Sequence, residues 1–351
     1  MSHWHSCSGL HDEGTRIMKL IGVLFGEEQT FPPALVEHIN ACGGGEMRAE
    51  SVQVGAVKMA EWSRYDVILD RISQDVPFFH SVLRNAMLSG TRVVNNPFWT
   101  IDDDKFFSYA LGRRMAIPVP RTVVFPTKTH PPGTSSASMR NLVYPIDWRA
   151  AFDYVGFPAY LKPNVGMGGK HVYRIENERE FLEIYDQTGS MAMLLQEAIE
   201  FSEYYRCYVI GQRDVRIMPY EPRNPHERRY EVEYAPSPKV FERLNSYCLA
   251  IVNVLGYECN SIEFAVREGV PYAIDYLNGA PDAELASVRA GNFRWFIEHM
   301  ATYLMELAML GRAVSSENRW ARFMAEDIDQ PAAPDRIRAR MNSASETRCA
   351  G

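Results

Sequence analysis

The chain has 351 residues, 46% of them apolar and 23% charged, with a net charge of −7 and a pI near 5.8. That length admits two or three α/β units, and the acidic balance argues against nucleic acid as the main partner, because such binders carry a basic face. No apolar run approaches the roughly 18–20 residues of a membrane span, and the N-terminus lacks an apolar signal region, so neither a membrane nor secretion is indicated.

Six cysteines, at 7, 42, 207, 248, 259 and 349, form no Cys-x-x-Cys pair, which suits reduced thiols in a cytoplasm better than a disulfide framework. His3, His5, Cys7 and His11 are metal-ligating types, but they sit in a polar leader, residues 1–17, that reads as a disordered tail.

Residues 18–98 alternate as β-α-β-β-α-β: strands over 19–25, 51–57, 66–70 and 92–95, helices over 31–41 and 76–88. This pattern predicts a small open sheet with helices on its faces, forming an N-terminal domain over 18–100. Its first strand is not followed by Gly-x-Gly-x-x-Gly, so a dinucleotide site is not supported. A helix over 102–115 follows, acidic in its first turn and ending in Arg113 and Arg114, as the helix dipole favours. A strand over 122–125 precedes a long loop, 126–145, rich in Pro, Ser, Thr and Gly. Helices over 147–155 and 178–187 and a buried-type strand over 192–197 complete a central unit, 101–195. The third unit, 196–311, contains a hairpin over 204–218 and a polar basic stretch over 219–238. A helix over 238–255, a second hairpin over 261–277 and a last helix over 293–309 follow. Beyond Gly311 the chain turns polar, and 312–351 reads as a tail.

Two stretches carry chemistry. Residues 161–170 read Leu-Lys-Pro-Asn-Val-Gly-Met-Gly-Gly-Lys between two strand-like runs, 157–161 and 171–175. Glycines there let backbone N–H groups curl around phosphate oxygens, with Lys162 at one end and Lys170 at the other; a glycine-rich turn in a plain hairpin would look similar. The second stretch is the last hairpin, with Glu263 on one strand, Asp275 on the next and Asn278 just beyond. Alternation separates Glu263 from Phe264, so the acid faces a site or solvent. Two carboxylates and an amide oxygen make an oxygen-only nest suited to Mg²⁺, whose shell substrate phosphates complete. A P-loop would join lysine, glycines and Ser/Thr in one motif, and a protein kinase would show His-Arg-Asp and Asp-Phe-Gly; neither occurs.

This order of motifs resembles the ATP-grasp superfamily, of the carboxylate–amine ligase type, over residues 18–310. The resemblance implies an α/β fold with an N-terminal open sheet, a small central lid and a C-terminal α+β domain. It implies that Lys105 and Lys162 meet the nucleotide phosphates and that Gly166, Gly168 and Gly169 form the lid loop. Gln196, Glu197, Ala198 and Ile199 look like the adenine-recognising hinge, and Glu203 is placed like the ribose acid. Glu263, Asp275 and Asn278 resemble the metal ligands. The implied ligands are ATP and Mg²⁺, with Mn²⁺ as an alternative, and small-molecule amino acid or peptide substrates; a homodimer is compatible with it.

Two departures stand out: Asp275-Tyr-Leu-Asn278 is one residue longer than the family's usual Glu-x-Asn, and Ser261 replaces an arginine two residues before the first metal acid. The implied reaction is amide bond formation through an acyl phosphate, with phosphoryl transfer to a hydroxyl, or nucleotide binding without catalysis, as alternatives. Arg206 and Arg216, on predicted strands, read as groups for an anionic substrate or the transferring phosphoryl group. Arg223, Arg228 and Arg229 read equally as substrate ligands or as a solvated basic loop paired with nearby glutamates. Arg71, at a strand end beside Asp70, reads as a substrate ligand or as Asp70's structural ion-pair partner.

Overall fold

Three four-stranded sheets organise the chain. The computed structural model describes residues 18–98, 104–166 and 170–311; the leader with its histidines, Gly168, Gly169 and segment 312–351 lie outside these. The first sheet is parallel, ordered β2-β1-β3-β4, from β1 (Lys19–Leu24), β2 (Met47–Ser51), β3 (Val67–Asp70) and β4 (Arg92–Val94), with α1 (Phe31–Cys42) and α2 (Pro77–Leu88) between them. The strand expected over 51–57 lies earlier, at Met47–Ser51. Gly44 and Gly45 have positive φ and turn the chain back directly, so that Ala49 pairs with Ile21 in the core.

The second sheet is antiparallel, ordered β5-β8-β6-β7. Its strands are β5 (Thr122–Phe125), β6 (Ala159–Pro163), β7 (Tyr173–Ile175) and β8 (Met193–Glu197). Helices α4 (Trp148–Val155) and α5 (Glu178–Tyr185) cover one face through Phe125, Phe152, Leu161, Phe181 and Leu195. Helix α3 (Lys105–Arg114) precedes this sheet. Its first turn holds no acid: Asp104 is its N-cap, accepting from the Phe107 N–H at 2.9 Å.

The third sheet, ordered β10-β9-β11-β12, is antiparallel. It comprises β9 (Glu203–Ile210), β10 (Asp214–Pro219), β11 (Cys259–Arg267) and β12 (Val270–Asn278). One face, with Tyr205, Cys207, Val209, Ile262 and Phe264, packs on α6 (Pro238–Leu255) in a core shared with α3. The other face, with Tyr204, Tyr208 and Ile210, meets the first sheet and α7 (Leu285–Leu310). Helix α7 begins ahead of the apolar period expected from Phe293 because its first turns are set off by a kink at Arg289, whose φ is +70°. No helix among the described residues is long and apolar enough to cross a membrane.

The first and third sheets are joined by polar contacts that leave few orphaned groups. Thr30 and Glu284 are the N-cap residues of α1 and α7, and each caps the other's helix. The Glu284 carboxylate accepts from the N–H groups of Thr30 and Phe31 at 3.0–3.1 Å, and Thr30 Oγ1 accepts from the Leu285 N–H at 3.0 Å. Asn95, at the end of β4, uses its whole amide: Oδ1 accepts from the N–H groups of Glu258 and Cys259, and Nδ2 donates to the carbonyls of Cys259 and Gly279.

Burial alone would raise the Glu284 carboxyl, but the Phe31 and Thr30 amides outweigh it and hold the group below its ordinary range. Its contribution to stability is therefore present above the ordinary glutamate range and lost as pH falls through its folded value. Glu284→Ala is expected to cost about 2–4 kcal/mol in urea unfolding at neutral pH, because it strips a shared cap from α1. The gap to the unmodified protein should narrow in acid; a gap that stays constant with pH would contradict this role.

Candidate active site

Arg206, Glu263 and Asp275 form a row across three neighbouring strands. Glu263 pairs with Arg206 of β9 on one side and with Asp275 of β12 on the other. A residue directly opposite another in a sheet shares its face, so the three side chains project together. Between Asp275 and Asn278 the register shifts: Glu263 faces Asp275, whereas Ser261 faces Asn278. The extra residue in Asp275-Tyr-Leu-Asn278 is thus taken up as a β-bulge, and Asn278, the last residue of β12, returns to the acid face. In the amide orientation that its neighbours satisfy, Asn278 Oδ1 accepts from Arg206 Nη2 at 3.0 Å and from Ser261 Oγ at 3.2 Å.

Arg206 also reaches Ser261 Oγ at 3.3–3.4 Å, and its Nε lies 3.7 Å from Glu263 Oε1. The small side chain at 261 leaves space that this guanidinium fills from the neighbouring strand. Tyr204 Oη donates to Glu263 Oε2 at 2.7 Å. Burial pushes the Glu263 carboxyl up, Arg206 partly offsets this, and the Asp275 carboxylate adds to the rise. Burial and then Glu263 push the Tyr204 phenol well above its usual range, so it remains a donor. The Asp275 carboxylate has no hydrogen-bond or ion-pair partner among the described residues. No cluster of three or more His, Cys, Asp or Glu suited to a metal occurs among the described residues. The donor set here is two carboxylates and an amide, all oxygen, which fits Mg²⁺ and leaves room for ligands that a substrate would bring.

A second group gathers around α3. Lys162, 9% exposed on β6, donates to Tyr109 Oη at 2.7 Å and to Gln196 Oε1 at 2.8 Å, and Gln196 Nε2 donates to Thr122 Oγ1 at 3.0 Å. Lys105, one turn before Tyr109, donates through Nζ to the carbonyl of Gly166, where the glycine loop leaves β6 with a φ of +132°. Asn164 ties that loop to the helix, accepting from the Phe106 N–H at 2.8 Å. The two groups touch: Tyr109 Oη donates to the carbonyl of Ile274, next to Asp275, at 2.6 Å.

Of the hinge residues, Glu197 is held by Arg121 and Arg267, each at 3.0 Å. Burial would raise its carboxyl, but these two arginines keep it low. The N–H groups of Glu197 and Ala198 donate to the carbonyls of Arg121 and Pro158, and Ile199 is buried. Glu203 starts β9 on the opposite face from Arg206, its carboxylate accepting from Tyr205 Oη at 2.6 Å. Arg216 lies on the acid face of β10 and donates to Asn292 Oδ1 at 3.1 Å. Arg229 donates to Tyr220 Oη at 3.2 Å, beside the acid row, whereas Arg223 and Arg228 form exposed ion pairs with Glu221 and Glu231. Arg71 is buried and pairs with Glu28, not Asp70, and donates to the Pro281 carbonyl. Asp70 instead accepts from the N–H groups of Ile72 and Ser73, closing a turn that its own side chain stabilises. Gly168 and Gly169 lie outside the described residues.

Sequence reasoning missed Tyr204 and Tyr109. Both carried a signal: Tyr204 is two residues before Arg206, on the same strand face, and Tyr109 is four residues after Lys105, on the same helix face.

No protein-family model matches the chain, and no curated protein matches it. Solved structures do. An ATP-grasp RimK domain protein from Sphaerobacter thermophilus superposes with a TM-score of 0.59 at 19% identity, covering 82% of this chain and 99% of that one. D-alanine–D-alanine ligase from Bacillus anthracis does so with a TM-score of 0.55 at 16% identity, covering 88% and 99%, and was also solved with ATP. The ATP-grasp ligase PsnB, solved with a minimal precursor, Mg and ADP, gives a TM-score of 0.52 at 15% identity, covering 82% and 98%. At these identities the likeness is one of architecture, and it extends over nearly the full length of each neighbour: the chain has the ATP-grasp fold.

Proposed function

We propose that this protein is an ATP-dependent carboxylate–amine ligase. The observation that carries the reading is the row Arg206–Glu263–Asp275, closed by Asn278 and tied through Tyr109 to Lys162. Side chains suited to phosphate, metal and a developing negative charge thus form one connected unit. The likeness to ligases solved with ATP and with Mg and ADP supports the choice of ligands.

In this reading Lys105, Lys162 and the loop at Gly166, Gly168 and Gly169 hold the nucleotide phosphates and keep water from the reactive anhydride. The hinge at Gln196–Ile199 takes the adenine, and Glu203 the ribose. Glu263, Asp275 and Asn278 would hold Mg²⁺, or Mn²⁺ in its place, which supplies neutralisation of charge between the β- and γ-phosphates. A substrate carboxylate oxygen attacks the γ-phosphorus as the bond to the β-phosphate oxygen breaks, giving an acyl phosphate and ADP. An amine then attacks the acyl carbon and orthophosphate leaves.

Arg206 is the guanidinium nearest this charge, with Arg216 behind it on β10. Its contact with Ser261 bears on the departure at that position: a cation is at hand although residue 261 is not an arginine. Arg229 is the loop arginine best set to meet an anionic substrate, through Tyr220, and Arg71, Arg223 and Arg228 have lesser claims because carboxylates of the chain occupy them. The substrates in this reading are a small amino acid or peptide and its amine partner. A cytoplasmic setting belongs to it, supported by free thiols at Cys42, Cys207, Cys248 and Cys259.

The test is ADP and phosphate release from ATP and Mg²⁺ with pooled amino acids and peptides, omitting one at a time. A ligase releases both, and only when two distinct substrates are present; ADP without free phosphate would instead identify a kinase. Asp275→Ala should lower ADP formation roughly 10²- to 10³-fold in a protein that stays folded, since removing one group that stabilises transition-state charge has effects of that size.

Glu263 is held at a cost to the metal-free fold. Its raised value means that stability is present below the ordinary glutamate range and declines as pH rises through the folded value. Glu263→Gln should therefore raise the melting temperature of the metal-free protein at pH 7–8 while abolishing turnover, and the gain should vanish in acid. A melting temperature lowered at every pH would show that the charged form is the stabilising one.

A further inference from the structure

The geometry points to Tyr109 as a positioning residue that couples the nucleotide lysine Lys162 to the metal-binding strand, an inference that rests on the nucleotide and metal sites proposed above. Its hydroxyl, in a ring 5% exposed, is used in both directions: it accepts from Lys162 Nζ at 2.7 Å and donates to the Ile274 carbonyl at 2.6 Å. Ile274 sits where β12 slips register against β11, between Asp275, opposite Glu263, and Ala273, opposite Phe264. A bulged backbone carbonyl has lost its regular ladder partner, and here a side chain from another element supplies the donor.

The same joint carries a second bond of opposite sense, from Tyr276 Oη of β12 to the Ser108 carbonyl of α3. The two rings meet edge to face at 5.8 Å. Gly112 permits this approach, because a Cβ there would lie 2.8 Å from Tyr276 Oη. Helix α3 is thereby fixed to β12 at two points, while Lys105 on the same helix face reaches the glycine loop. A displacement of the Lys162 ammonium is transmitted through one hydroxyl to the peptide beside Asp275.

Hydrogen bonds to a charged group contribute more than neutral ones, and an ammonium left with one acceptor fewer is less well aimed. Tyr109→Phe keeps the ring and its edge contact and removes only the hydroxyl. Two affinities read the coupling: ADP measured calorimetrically in EDTA, and Mn²⁺ for the ADP-saturated protein measured by electron paramagnetic resonance. Tyr109→Phe is expected to weaken ADP about tenfold and Mn²⁺ about threefold to tenfold, the size of one charge-assisted bond and one neutral bond respectively. In a Lys162→Met background the ADP effect should disappear, because the ammonium through which Tyr109 acts is gone.

Tyr276→Phe loosens the same joint without touching Lys162, and it should leave ADP affinity in EDTA unchanged. An unaltered Mn²⁺ affinity in Tyr109→Phe, additive ADP effects with Lys162→Met, or an equal ADP loss in Tyr276→Phe would each overturn the coupling. Failure of the unmodified protein to bind ADP would overturn the nucleotide site itself, and the coupling with it.

Discussion

Two carboxylates held side by side on a half-buried sheet face are the constraint around which the third sheet is arranged. Neighbouring positions across antiparallel strands place Glu263 and Asp275 within reach of each other's charge, and like charges so placed destabilise a fold. Three features limit the cost. Arg206 takes the place opposite Glu263 on the other flank, Tyr204 donates to its carboxylate, and Asp275 keeps access to solvent. What remains is a carboxyl with a raised proton affinity, which a divalent cation would relieve.

The same economy governs how the sheets meet. Helix termini and strand ends carry backbone groups without partners, and burying such ends demands polar contacts from elsewhere. Here those contacts come from the neighbouring unit. Thr30 and Glu284 exchange caps, Asn95 satisfies the turn before β11, and Arg71 donates to the Pro281 carbonyl just past Asn278. Since Gly279 and Pro281 follow β12 directly, the first sheet is fastened at the rim of the acid row.

Much of this was legible in the sequence, and the parts that were not have a common cause. Period-two alternation in the hairpin expected over 261–277 put Glu263 and Phe264 on opposite faces, as the structure does, and the helices expected over 147–155 and 238–255 end where the structure ends them. Spacing alone made Asp275-x-x-Asn278 look like a departure, because a bulge is a property of two strands in register and leaves little trace in one. The strand expected over 51–57 failed for a similar reason: its position is dictated by pairing with β1. The Arg71–Glu28 pair and the Arg206–Ser261 contact are likewise contacts between segments far apart in the chain. Short-range chemistry such as a cap or a turn can be read from neighbours in sequence, whereas partner choice across a sheet cannot.

Helix α3 illustrates how these levels combine. Nothing in its composition sets it apart: it is short, weakly amphipathic and capped by a single aspartate. Its importance comes from spacing. Lys105 and Tyr109 lie one turn apart on one face, so a rigid rod sends one side chain to the glycine loop and the other to Lys162 and β12. Gly112 then lets the following turn approach Tyr276 closely enough for the reciprocal bond. A helix bonded to a loop, a lysine and a bulged strand thus holds three sequence-distant segments side by side.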